Sequence, residues 1–108
     1  MDAAFVLDFD DLHLHGPTER VLRLTRLEMR LLWYLAAQEG REVSKAELLD
    51  QVWRYAPSTS THTVQTHIWR LRRKIAGTFP EVSVIRTGPG GYAIASQVTW
   101  TGTLPTPG

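Results

Sequence analysis

Between residues 61 and 74 the chain sets His62, Thr63, Thr66, His67, Trp69, Arg70, Arg72 and Arg73 close together, with no Asp or Glu among them. Such residue types suit hydrogen-bond recognition better than bond breaking. An arginine can grip a guanine edge through two bonds, and a threonine can bond a base or touch a thymine methyl. Guanidinium and ammonium groups beside them can neutralise phosphates and release counterions. Spacing decides whether these groups act together. With Val64 at 0° and about 100° per residue, Ile68, Leu71 and Ile75 share an arc of about 60° with it. Trp69, His62, Arg73, Thr66 and Arg70 fall opposite, between about 140° and 240°. One edge is therefore built to be buried and the other to meet a polar partner. Reading helices bring their N-terminal turns to the bases, which favours His62, Thr63, Thr66 and Arg70 over Lys74. The bland alternative for such a face is a solvated basic helix.

A short hairpin follows, Val82–Arg86 and Tyr92–Ala95 joined across Thr87-Gly-Pro-Gly-Gly91. Gly88, Gly90 and Gly91 permit close backbone approach, and Pro89 stiffens the tip. Such a hairpin can be an ordinary tight turn. Beside a basic helix, it can also reach the flanking backbone or minor groove of a duplex.

Other chemistries find little support. His13 and His15 would share a strand face, but no carboxylate or cysteine stands at a recognised ligand spacing, and His62 and His67 point apart. The serines and threonines lack a nucleophile elbow. The reading is of a non-enzyme with no cofactor, metal or small-molecule substrate. The chain has 108 residues and no cysteine, which allows one domain and excludes disulfides and thiolate sites. No apolar run nears the roughly 18 residues that span a membrane, and the acidic start does not resemble a signal peptide; a cytoplasmic protein is expected. The net charge of +1 conceals a split, with −4 over residues 1–50 and +5 over residues 51–108. Such asymmetry points to one basic face.

These residues need a frame to position them. Phe5-Val-Leu-Asp-Phe9, Leu12-His-Leu-His and Arg20-Val-Leu-Arg-Leu24 read as short antiparallel strands. Thr25-Arg-Leu-Glu28 has the form of a capping box and opens a helix to about Gln38, before Gly40. Ser44-Lys-Ala-Glu47 repeats that form and opens a second helix through about Arg54. Ser60 or Thr61 can cap the third, over Thr61–Ala76. The expected domain covers residues 1–95; the Thr/Gly/Pro-rich segment 96–108 is expected to be a poorly ordered tail or linker, with Trp100 its one candidate for docking.

Four segments in this order resemble the effector domain of OmpR/PhoB-type response regulators. They are Leu24-Thr-Arg-Leu-Glu28 with Leu31-Leu32, Val43–Trp53, His62–Lys74, and Ile85-Arg-Thr-Gly-Pro-Gly-Gly-Tyr92. The resemblance spans Phe5 to Ala95 and implies an α+β winged helix-turn-helix: an N-terminal antiparallel sheet, three helices and a C-terminal wing hairpin. It implies a sequence-specific, double-stranded-DNA-binding transcription regulator of a two-component system, dimeric on DNA. Base-facing roles fall on His62, Thr66 and Arg70, and backbone-facing roles on His67, Trp69 and Arg72, with Trp53 reaching in from the second helix. The Arg54–Ser60 loop matches one that can contact RNA polymerase. The chain departs from the pattern twice. His62 stands where many relatives carry arginine, and Gly88 replaces the wing arginine, leaving Arg86 as the hairpin's candidate backbone contact. A receiver domain would need over a hundred further residues, so a fragment and a stand-alone effector both remain open. The alternative function is a winged-helix protein-interaction module, which an exposed Trp69 would suit.

Overall fold

Alternation of apolar and polar residues at the start of the chain gives three short strands: β1 (Ala4–Asp8), β2 (His13–His15) and β3 (Val21–Arg23). Phe5, Leu7 and Leu14 are buried, while their neighbours Val6, His13 and His15 face outward to differing degrees. The computed structural model describes residues 4–54 and 60–106. Three helices follow, α1 (Arg26–Ala37), α2 (Lys45–Val52) and α3 (Thr61–Thr78), then β4 (Ile85–Gly88), β5 (Gly91–Ile94) and β6 (Gln97–Thr101).

Capping chemistry starts the first two helices. The Thr25 hydroxyl accepts from the Glu28 N–H at 3.2 Å, and the Glu28 carboxylate accepts from the Thr25 N–H at 2.8 Å, completing the expected box. Glu28 also takes a 2.9 Å ion pair from Lys74, which ties α1 to α3. At α2 only half of the box forms. Ser44 accepts from the Glu47 N–H, but the Glu47 carboxylate turns to the Arg41 guanidinium and the Tyr34 hydroxyl. A charged partner outbids a backbone N–H for the same oxygens. Ser60 is the N-cap of α3, without a side-chain cap bond.

Two expectations need correction. The segment after Ser96 is not a loose tail. β6 pairs in parallel with β1, from Ala4 opposite Gln97 to Asp8 opposite Thr101, and Val98 is buried. The domain therefore extends past residue 95: the expected antiparallel strands form as β3-β2-β1, and β6 joins their edge in parallel, in the order β3-β2-β1-β6. The gain is physical: β6 satisfies the backbone groups that β1 would otherwise leave bare. Beyond it, Arg30 donates to the Pro105 carbonyl at 2.9 Å, fastening the chain across α1.

The hairpin strands also sit later and earlier than expected, at 85–88 and 91–94 in place of 82–86 and 92–95. Two backbone bonds with Val43, at 2.7 and 2.9 Å, fix Tyr92 against the α1–α2 connection. Gly91 allows this approach: it holds φ at +140°, and a Cβ there would fall 2.0 Å from the Val43 carbonyl oxygen. The core then closes around α3, whose Val64, Ile68, Leu71 and Ile75 are all buried. Phe79 at its end meets Phe5 of the sheet edge-on, 5.2 Å between ring centres.

Candidate nucleic-acid interface

Burying one edge of α3 leaves the opposite face to solvent. His62, Trp69, Arg70, Arg72 and Arg73 are exposed, and Thr63, Thr66 and His67 partly so. The Thr66 hydroxyl donates back to the His62 carbonyl at 3.1 Å, which leaves its oxygen lone pairs to accept from a partner. Arg70 makes no ion pair among the described residues. By helical period His62, Thr66, Trp69, Arg70 and Arg73 share one strip, with Thr63 and His67 on one flank and Arg72 on the other.

Farther along, Trp69 is 57% exposed, a large apolar surface for a residue on a polar face. The Arg73 guanidinium lies 4.9 Å from the centre of its ring. Stacking holds this arginine without cancelling its charge, because the ring offers only its quadrupole. Trp69, Arg72 and Arg73 also line an open groove of about 730 Å³ between α3 and the segment from Pro80 to Thr87.

The remaining cations are sorted by their partners. Arg72 donates to the Thr87 hydroxyl at 2.7 Å, joining α3 to the hairpin while keeping its charge. Lys74 is paired with Glu28. Arg86 lies 3.1 Å from the Glu42 carboxylate and donates to the Gly40 carbonyl at 3.2 Å, so it is held against the protein surface. Trp53, expected to reach the backbone, is only 8% exposed and belongs to the core, where His67 meets it at 5.4 Å between ring centres. The indole therefore supports His67 and offers little of its own surface. Of the loop 54–60, residues 55–59 lie outside the described residues.

Two charged groups near the helix and the hairpin were invisible to the reading by helical period. Lys45, the first residue of α2, points its ammonium to the Gln65 side chain of α3 at 3.5 Å and adds a cation beside the strip. The signal was present in its place directly after the Ser44 cap, where a helix start faces its neighbour. Glu42 is the other. Its carboxyl pKa is lowered from the ordinary 4.5, first by the Gly90 N–H and next by Arg86. No helix among the described residues is long and apolar enough to cross a membrane.

Comparison with known proteins agrees with this geometry. Residues 19–94 match the family described as "Transcriptional regulatory protein, C terminal". The response regulator SaeR of Staphylococcus epidermidis is 40% identical over 76 residues, which are 64% of this chain and 33% of SaeR. The transcriptional regulatory protein CreB of Escherichia coli is 43% identical over 74 residues, 68% of this chain and 32% of CreB. The chain thus spans about a third of these relatives' length. Among solved structures, the DNA-binding domain of E. coli CadC superposes with a TM-score of 0.71 at 26% identity, covering 81% of both chains. Sequence and fold together place the chain in the transcriptional regulatory protein C-terminal family, the non-enzymatic winged-helix effector domains of OmpR/PhoB-type response regulators.

Proposed function

We propose that this domain binds double-stranded DNA sequence-specifically, with α3 in a major groove and the β4–β5 wing on the flanking groove. The observation that carries this is the acid-free strip on α3, where Arg70, with no ion pair among the described residues, stands beside His62 and Thr66. A B-DNA major groove is wide enough for a helix, and these groups match its donor and acceptor pattern. In this reading His62, Thr63, Thr66 and Arg70 face bases, while His67, Trp69, Arg72 and Arg73 meet sugar and phosphate. Lys45 adds a phosphate contact from α2. Arg86 and Trp53 take no direct part, being engaged with Glu42 and with the core.

By likeness to the family, the proposal extends to control of transcription within a two-component system, binding as a dimer, and contact with RNA polymerase through the loop 54–60. Anisotropy of a labelled random duplex at two salt concentrations tests the reading. Binding should weaken steeply as salt rises, since each neutralised phosphate adds about 0.9 to the log–log slope. Absence of binding to random duplex and to a selected pool alike would refute it.

One observation favours a second reading. Trp69 is 57% exposed beside an open groove, as suits a protein-contact surface. An acidic protein partner would also be salt-sensitive, but random duplex would not compete for the site.

A further inference from the structure

The wing tip carries a feature that DNA binding alone does not explain. A carboxylate lies against the hairpin that should approach a polyanion. Glu42, in the α1–α2 connection, accepts from the Gly90 N–H at 2.7 Å with one oxygen and from Arg86 at 3.1 Å with the other. Arg86 adds a bond to the Gly40 carbonyl at 3.2 Å.

The hairpin is shaped for this occupant. A Cβ on Gly88 would fall 1.9 Å from one Glu42 oxygen, and a Cβ on Gly90 would fall 2.7 Å from the other. Any side chain at position 88 would push the carboxylate out. Gly88 also stands where the resemblance to response regulators places a wing arginine. The missing arginine and the inserted carboxylate are thus two halves of one arrangement. An exposed ion pair by itself holds little. Here the carboxylate is also fixed by a backbone N–H, and the guanidinium by a carbonyl, so the four groups constrain one another.

We infer that Glu42 is a wing-positioning residue that fixes the β4–β5 tip and cancels Arg86, so that the wing meets DNA as a rigid arm without net charge. The inference rests on the DNA-binding reading above. It makes the wing a reader of shape, with the salt-dependent part of binding left to the helices. The lowered pKa of Glu42 accords with a carboxylate that stays ionised in place.

The test is a cycle of Glu42→Gln, Arg86→Ala and the double variant, each titrated against random duplex over a salt series. Gln keeps the size and can still accept from Gly90, but it cannot neutralise Arg86. Glu42→Gln should steepen the log–log slope by about 0.9, the value of one added phosphate contact. Arg86→Ala should match the parent slope, and so should the double variant. A flatter slope for Arg86→Ala alone would overturn the inference, because Arg86 would already be meeting a phosphate. So would steepening by Glu42→Gln in the Arg86→Ala background, which would assign the effect to the carboxylate's own repulsion. An unchanged slope in Glu42→Gln overturns it as well. In the absence of DNA, the Gly90 amide resonance should follow a single titration below pH 4.5 in the parent and lose it in Glu42→Gln. A Gly90 amide indifferent to that substitution refutes the clamp. A parent domain that binds no duplex at any salt refutes the DNA reading and this inference with it, and is distinguished by flat titrations for all four proteins.

Discussion

Partnering divides the cations near α3 into two sets, and the division has a measurable consequence. Arg70, Arg72, Arg73 and Lys45 have no ion pair among the described residues, and Lys45 donates to the Gln65 amide oxygen. Lys74 and Arg86 are neutralised by Glu28 and Glu42 at 2.9 and 3.1 Å. At about 0.9 per phosphate, three or four free cations give a log–log salt slope between about −2.7 and about −3.6 on random duplex. Arg73→Ala and Lys45→Ala should each flatten it by about 0.9, whereas Lys74→Ala should leave it unchanged. Arg73 is the cleaner probe of the two arginines beyond the reading strip, because Arg72 also holds the wing through Thr87. The assay is fluorescence anisotropy over a salt series, with circular dichroism to verify that each variant is folded. Equal flattening by Lys74→Ala and Arg73→Ala would refute the sorting of charges by partner.

Two further predictions concern the frame. Ending the chain at Ser96 removes β6, with its buried Val98, and the Arg30–Pro105 bond. Urea unfolding should show a loss of about 2–4 kcal/mol, from the apolar burial of Val98 and several hydrogen bonds; an unchanged midpoint would make β6 dispensable. The Glu47 carboxylate is held below the ordinary 4.5, first by the Arg41 guanidinium and then by the Tyr34 hydroxyl. A depressed folded value means that its contribution is present above pH 4.5 and is lost as pH falls through the folded value. The stability gap between the parent and Glu47→Gln should be under about 1 kcal/mol, as for other largely exposed pairs, and should close on acidification; a gap constant from pH 7 to pH 3 would refute the pairing.

The sequence was most legible where a single period governs burial. Val64, Ile68, Leu71 and Ile75 announce the buried edge of α3, and with it the opposite polar strip. Thr25 and Glu28 announce the start of α1 because both halves of their contact are local. Legibility failed where long-range pairing decides. β6 has one buried residue and a Thr-rich pattern, so nothing in residues 97–101 reveals that β1 waits beside them. The hairpin strands were displaced because Val43, nearly fifty residues upstream, fixes Tyr92. At the candidate site, period alone exposes Arg70 and Arg73 but is silent about partners. Arg86 looks like any wing cation until Glu42 is placed against it, and Trp53 looks available until the core closes over it.

The central claim is that α3 reads base edges, and the direct measurement compares Arg70→Ala with the parent on two duplexes. One is a site selected from a random-sequence pool by the parent domain, and the other is random. The account predicts a loss of about 1–3 kcal/mol on the selected site, a relaxed preference at one base position, and a much smaller loss on random duplex. Equal weakening on both duplexes would contradict it, leaving Arg70 as a phosphate contact and α3 as a basic helix that does not read sequence.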